Sequence, residues 1–197
     1  MYVRDHLRYY QKEPLWLLAK QCIHAKLDSN LQRCLLDEGS LTSRLIQASA
    51  GNFEIRCLRQ TWQLPLPSER RLLNIKTRQL AVIREVVLAC HGMPWVFARS
   101  IFPASTLSGP LRKLHNLKNS SLGSLLFNTP SMTRSPFQLA KITGESNYLP
   151  SGLRHSEPVW GRRSKFMLYD KPLIVSEVFL PEFKPWPKPP SQQGHRY

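Results

Sequence analysis

Apolar and polar residues alternate along this chain with periods that change from segment to segment. Over residues 15–36 the apolar positions (Leu15, Leu18, Cys22, then Leu31 and Leu35) fall near helix spacing, which predicts a helix. Ser40 then reads as an N-cap for a short helix over 41–47, ending near Gly51. Phe53, Ile55 and Cys57 alternate with Glu54 and Arg56, the pattern of a first strand. Pro65 and Pro67 interrupt the chain before a second strand over 80–90. His91-Gly92 suits a two-residue turn, so 80–90 and 93–102 are expected to pair as an antiparallel hairpin. Pairing Cys90 with Met93 would set Arg84 opposite Arg99.

Residues 105–127 read as two short helices, with Pro110 at the first position of one and Ser120 or Ser121 capping the other. A loop over 144–158 leads to a second hairpin, 160–168 with 172–180, around Tyr169-Asp170-Lys171. The prediction is a single α+β domain, an antiparallel sheet of about six strands with helices packed on it. It spans 1–181, with an N-terminal helical extension over 1–38 and a core over 39–181. The Pro-rich basic segment 182–197 is expected to be a disordered tail outside the fold.

Two charges interrupt these strands in a telling way. Arg84 lies between Val82 and Val86, and Glu177 between Val175 and Phe179, counted two residues at a time. Alternate strand residues share a face, so each charge sits among apolar neighbours. Such burial is expensive without a partner or a ligand. A pocket lined by the sheet, suited to a small charged molecule, is one reading; an internal salt bridge is the other. Glu85 competes for the same role, because it lies between Ile83 and Val87. The doublet Arg162-Arg163 reads as a solvated face.

Composition narrows the chemistry. The 197 residues carry 28 Lys plus Arg against 13 Asp plus Glu, a net charge of +15 that favours anionic partners. Aromatic–basic motifs of nucleic-acid binders are missing, so no nucleic-acid partner is expected. A Gly-rich phosphate loop, CxxC and HExxH are all absent, and the six histidines lack metal-ligand spacing. No cofactor and no metal are expected. Cys22, Cys34, Cys57 and Cys90 are scattered through apolar contexts, and no secretory signal or membrane-length apolar run is visible. The expectation is a cytoplasmic protein with free thiols and no stable membrane insertion.

Seven short segments occur in the order seen in one family: Ser40-Leu41-Thr42, Ile83-Arg84-Glu85, Gly92-Met93-Pro94-Trp95, Ser105-Thr106-Leu107-Ser108-Gly109-Pro110, Leu122-Gly123, Trp160-Gly161-Arg162-Arg163-Ser164 and Glu177-Val178-Phe179-Leu180-Pro181. In these the chain resembles the chorismate pyruvate-lyases, which form 4-hydroxybenzoate for bacterial ubiquinone synthesis. The resemblance implies a cofactor-free lyase with an enclosed pocket under helical flaps, and a monomer is expected. It also implies chorismate as substrate and 4-hydroxybenzoate as product. Matched residue by residue, the family's arginine, glutamate and two backbone amides fall on Arg84, Glu177, Leu41 and Leu122.

On this reading Arg84 takes the ring carboxylate. Glu177 contacts the ring hydroxyl, as a positioning group or a general base. Leu41 and Leu122 follow serine caps, where helix N–H groups lack internal partners and suit a carboxylate or oxyanion. Arg99 is expected as a second carboxylate ligand, on the strength of its predicted place opposite Arg84. The alternative function is a non-catalytic, small-molecule-sensing domain, because effector domains of some transcription regulators resemble the lyase fold. The roughly 40 residues before Leu41 are few for the DNA-binding module such regulators carry.

Overall fold

The computed structural model describes residues 13–22, 27–143 and 146–186. The fold is α+β, and its sheet holds eight strands among the described residues. They are β1 (Leu17–Leu18), β2 (Phe53–Gln63), β3 (Ala81–Cys90), β4 (Met93–Pro103), β5 (Thr133–Arg134), β6 (Gln138–Ile142), β7 (Val159–Leu168) and β8 (Lys171–Phe179). The order is β1-β6-β7-β8-β4-β3-β2, with β5 pairing on β7, and all pairings are antiparallel. The count exceeds the expected six because β1 and β5 are two residues long. Alternation cannot be read over so short a span.

Both long hairpins close on two-residue turns in the left-handed region. His91 and Gly92 have φ of 51° and 76°, Tyr169 and Asp170 of 48° and 59°. Such turns match the right-handed twist of the flanking strands. The β3–β4 pairing starts with Cys90 opposite Met93, as expected, but shifts between Leu88 and Ala89. Leu88 faces Val96 while Ala89 faces Pro94, so Trp95 is a bulged extra residue. Beyond it Arg84 lies opposite Ser100 and Glu85 opposite Arg99. The expected Arg84–Arg99 pair does not form, since one inserted residue moves β4 by one register step.

Four α-helices are described: α1 (Ser29–Leu35), α2 (Leu41–Ala48), α3 (Pro67–Leu73) and α4 (Leu122–Phe127). The serine caps stand as expected: Ser40 Oγ accepts from Ser43 N–H at 3.4 Å, and Ser121 Oγ from Ser124 N–H at 3.1 Å. Helix α3 has Pro67 in its first turn, and the Glu69 carboxylate accepts from Leu66 N–H at 2.8 Å. A 3₁₀ segment, Gly109–Asn116, precedes α4 and buries Leu111 and Leu114.

The single helix predicted over 15–36 is broken. Trp16 is buried edge-on against Tyr148, at 5.9 Å between ring centroids, and draws Leu17–Leu18 into the sheet beside Leu139 and Gln138. A 3₁₀ turn, Ala19–Cys22, follows. Asp28 then starts α1 afresh by accepting from Asn30 and Leu31 N–H. The first part of the expected tail is also packed. Phe183 and Trp186 are buried with Phe179 and Trp95, because aromatic rings bury large apolar area and stack edge-on here. Residues 187–197, and residues 1–12 of the expected extension, lie outside the described residues. In the segment predicted as a loop, Tyr148 and Leu149 are buried. None of the described helices is long and apolar enough to cross a membrane.

Candidate active site

The sheet carries different chemistry on its two faces. On one, Arg84, Val86 and Leu88 of β3, Ala98 and Ser100 of β4, Val175 and Glu177 of β8, and Arg162 and Ser164 of β7 line a cavity. Its cover comes from Leu41 and Thr42 of α2 and from Leu122, Gly123, Leu126 and Phe127 of α4. The space is about 650 Å³ counted out to its mouth. The cavity sits between two apolar clusters. One gathers Leu41, Leu45, Val86 and Phe179; the other gathers Val82, Phe102, Leu114, Leu122 and Phe166.

The Arg84 guanidinium is held along one edge. Its Nε and Nη2 donate to Lys118 O at 3.0 and 2.8 Å, and Nη2 also to Ser120 O at 2.8 Å. The receiving loop is anchored in turn. Gln60 Nε2 donates to Leu114 O, Lys118 N–H to Gln60 Oε1, and Cys57 N–H to Asn119 Oδ1. No carboxylate pairs with Arg84 among the described residues, and its Nη1 has no protein partner there. Burial pulls the guanidinium below its ordinary pKa, slightly offset by Cys57. It is still a cation, and it is unpaired.

Glu177 has a different partner from Arg84. Arg162, directly opposite on β7, donates from Nε to Glu177 Oε2 at 2.6 Å. The same guanidinium reaches the end of α1, donating from Nη1 to the carbonyls of Cys34, Leu35 and Asp37 at 3.0, 3.4 and 2.7 Å. Phe137 lies under it at 4.8 Å. The salt-bridge reading of Arg84 with Glu177 therefore fails, and the cavity holds both charges separately.

The doublet expected as a solvated face is buried, Arg162 at 2% and Arg163 at 5% exposure. Consecutive strand residues point to opposite faces. Arg163 goes to the far side, where it donates to Gln138 Oε1 and Ser68 Oγ and lies 4.7 Å over the Trp16 ring.

Arg99 belongs to that far side as well. Its Nε and Nη2 fork onto Glu69 at 2.8 and 3.2 Å, and its Nη1 pairs with Glu85. Arg59 completes the chain through Glu85 Oε2 at 2.8 Å. The expected contact between Arg99 and the ligand of Arg84 is corrected by this geometry, since the Trp95 bulge turns Arg99 away. Glu85, the rival of Glu177, leaves the cavity for the same reason of parity.

Leu41 and Leu122 are the first residues of α2 and α4, and their side chains are buried in the cover. The two helix starts touch. Ser121 Oγ lies 3.4 Å from Thr42 Oγ1, and a Cβ on Gly123 would stand 3.0 Å from that same oxygen. A glycine lets the two helix starts approach this closely without displacing that hydroxyl.

Besides Arg162, sequence reasoning missed further polar lining residues. Arg134, Ser100 and Ser164 all face the cavity. Ser100 shares its face with Ala98, and Ser164 shares its face with Arg162 and Phe166, so alternation would have found both. Arg134 lies in a two-residue strand and left no such signal. Among the described residues no cluster of three or more His, Cys, Asp or Glu is placed to hold a metal.

An unpaired arginine, a carboxylate with one free oxygen and two glycine- or serine-flanked helix starts can bind a small aromatic acid bearing a hydroxyl group. Known proteins resemble the chain in fold and in sequence. The effector domain of PhnF from Mycobacterium smegmatis superposes with a TM-score of 0.52 at 14% identity, over 78% of this chain and 98% of that one. A GntR-family regulator from Bacillus cereus gives 0.50 at 13%, over 70% and 98%. At such identities these likenesses concern the fold alone. Sequence relatives are nearer. A probable chorismate pyruvate-lyase of Halorhodospira halophila is 34% identical over 91% of this chain and 97% of its own length. Its counterpart in Pseudomonas putida is 39% identical over 84% and 88%. The family model described as chorismate lyase matches residues 11–188, which take in every described strand, the covering helices and the cavity beneath them, and the chain belongs to that family.

Proposed function

We propose that this chain removes pyruvate from chorismate and releases 4-hydroxybenzoate, the first step of ubiquinone biosynthesis. The observation that carries the reading is the separation of Arg84 and Glu177 in one cavity. Arg84 stands on β3 and Glu177 on β8, with only β4 between them. Adjacent strands are ~4.8 Å apart, so the two side chains bracket a space about one six-membered ring wide. The ring carboxylate sits against Arg84 Nη1. The ring hydroxyl donates to Glu177 Oε1, because Oε2 is occupied by Arg162. The Leu41 and Leu122 N–H groups supply two further donors from the helix starts.

Elimination breaks the ether carbon–oxygen bond and removes the hydrogen of the neighbouring carbinol carbon. The electrons of that C–H bond form the last ring double bond, and the ring becomes aromatic. The departing enolpyruvyl group takes the ether electron pair and leaves as pyruvate once its methylene carbon has gained a proton. Two routes deliver that proton: direct transfer from the carbinol carbon, or removal by Glu177 and later return. In both, the drive is in the substrate, so the protein's work is to orient the side chain and offset charge. No cofactor is needed for this chemistry.

The test is incubation of the purified full chain with chorismate, following both products. Equimolar 4-hydroxybenzoate and pyruvate, undiminished after chelator treatment, are expected. Tight binding of 4-hydroxybenzoate with no turnover of chorismate would instead mark a sensing domain.

A further inference from the structure

We propose that Arg134, with the hydroxyl of Ser164, forms the subsite that holds the carboxylate of the departing enolpyruvyl arm. This rests on the reading of the chain as a chorismate lyase. Arg134 lines the cavity from β5, opposite Phe166 of β7. Its side chain is 15% exposed, yet its guanidinium makes no hydrogen bond among the described residues. Its nearest carboxylate is Glu38, 3.9 Å away and 86% exposed, too distant and too solvated to satisfy a half-buried guanidinium. The planar group instead lies 4.4 Å over the Phe137 ring, which fixes its orientation without using its donors. Burial, followed by the neighbouring Arg162, lowers the Arg134 pKa, as expected for a cation short of an anion.

Ser164 is the second observation. It is buried, it lines the same cavity, and its Oγ has no hydrogen-bond partner. It lies two residues before Phe166, so Ser164 and Arg134 are diagonal neighbours on one face of the β5–β7 pair. The Arg134 guanidinium, which makes no hydrogen bond among the described residues, and the unsatisfied Ser164 hydroxyl thus line the cavity on the β7 side, away from Arg84 and beside Arg162 and Glu177.

Charge accounting agrees. Three guanidiniums, those of Arg84, Arg134 and Arg162, face the cavity with one carboxylate, Glu177. Arg163 contributes its side chain to the other face. The surplus of two positive charges matches a ligand with two carboxylates, and the free cations stand at opposite ends. With the ring carboxylate at Arg84 and the hydroxyl at Glu177, the arm on the adjacent ring carbon emerges at the Arg134 end. The product keeps only the ring carboxylate and makes no use of this subsite.

The discriminating experiment compares substrate with product on Arg134→Met, which keeps the packing over Phe137. Turnover of chorismate by the unaltered chain is measured first, since its absence would overturn the parent reading and this inference with it. Given turnover, Arg134→Met is expected to lower kcat/KM for chorismate by about 10- to 100-fold, the loss typical of one charge-assisted pair. The affinity for 4-hydroxybenzoate should stay within about threefold, which also shows that the variant is folded. Arg134→Lys should recover part of the loss, and Ser164→Ala should repeat the pattern at about 3- to 10-fold. Arg84→Ala, by contrast, should weaken both ligands. Equal loss of substrate and product in Arg134→Met, or loss of neither, would overturn the subsite while leaving the lyase reading intact.

Discussion

Arg162 and Glu177 stand directly opposite each other on β7 and β8, and the Arg162 guanidinium joins the cavity carboxylate to the last carbonyls of α1. One side chain therefore fixes the acid of the cavity and ties down the end of α1, whose Cys34 and Leu35 are buried in the core. Arg162→Ala would strand a partly buried carboxylate and three carbonyls. A loss of about 3–5 kcal/mol is expected, as for other broken buried pairs. Urea denaturation measures it, and an unchanged midpoint would mean that solvent replaces Arg162 at no cost.

Glu177→Gln preserves shape and a hydrogen-bonding oxygen but removes the charge. If Glu177 only orients the ring hydroxyl, kcat should fall less than about tenfold. If it takes the carbinol proton, kcat should fall by about 10²–10⁴ with product affinity nearly unchanged. The position of Oε2 against Arg162 favours a fixed, orienting carboxylate, so the smaller loss is the expected outcome. Single-turnover kinetics with chorismate separates the two.

Arg99 tests the two-faced character of the sheet. Arg99→Met removes the cation between the buried carboxylates of Glu69 and Glu85. The loss of stability should be about 3–5 kcal/mol. Affinity for 4-hydroxybenzoate, measured below the unfolding transition, should not change, because Arg99 lies across the sheet from the cavity. A selective loss of ligand affinity at full stability would return Arg99 to the site.

How far the sequence could be read depended on whether the deciding contact was local. His91-Gly92 announces its turn, and Ser40 and Ser121 announce their helices, because turn and cap chemistry act within a few residues. Arg84 and Glu177 were legible because their apolar neighbours are part of long strands. Arg99 was misplaced by a single bulged residue, Trp95, whose ring is buried against Phe183, nearly ninety positions away. Arg162 and Arg163 looked like a surface pair because their partners, Glu177 and Gln138, come from other strands. Arg134 was invisible, since a two-residue strand exists only through the neighbour it pairs with.

Tyr148 gives the fold an alkaline limit. It is packed among Trp16, Phe97 and Arg99, and burial drives its phenol well above the ordinary value. A group whose pKa is raised on folding contributes fully below its unfolded pKa and loses that contribution as pH rises towards the folded value. Stability should therefore decline above about pH 10, at most ~1.4 kcal/mol per unit from this group. The buried thiols of Cys34 and Cys90, also raised by burial, add a decline that begins lower. Tyr148→Phe should remove the steeper part and leave the thiol part, as read from denaturation midpoints between pH 8 and 11. Identical profiles for the two proteins would show that the phenol titrates freely.

The meeting of the two covering helices should govern how long product stays. Gly123 of α4 faces Thr42 Oγ1 of α2, and an added methyl would press to 3.0 Å from that oxygen and 3.5 Å from Ser40 Oγ. Gly123→Ala is expected to part the covers by a few tenths of an ångström, at the point where both helix starts line the cavity. Release of 4-hydroxybenzoate should become about tenfold faster, and product inhibition correspondingly weaker, because an enclosed ligand leaves only when its cover opens. Should release limit turnover, kcat would rise while kcat/KM falls. Thr42→Ala removes the opposing oxygen, so in the double variant the covers can close again and slow release should return. This coupling identifies the contact as the cause, since effects that act through separate places add. Stopped-flow displacement of product from the two single variants and the double variant measures it directly. Simple additivity of the two substitutions would place the barrier to release elsewhere in the cover.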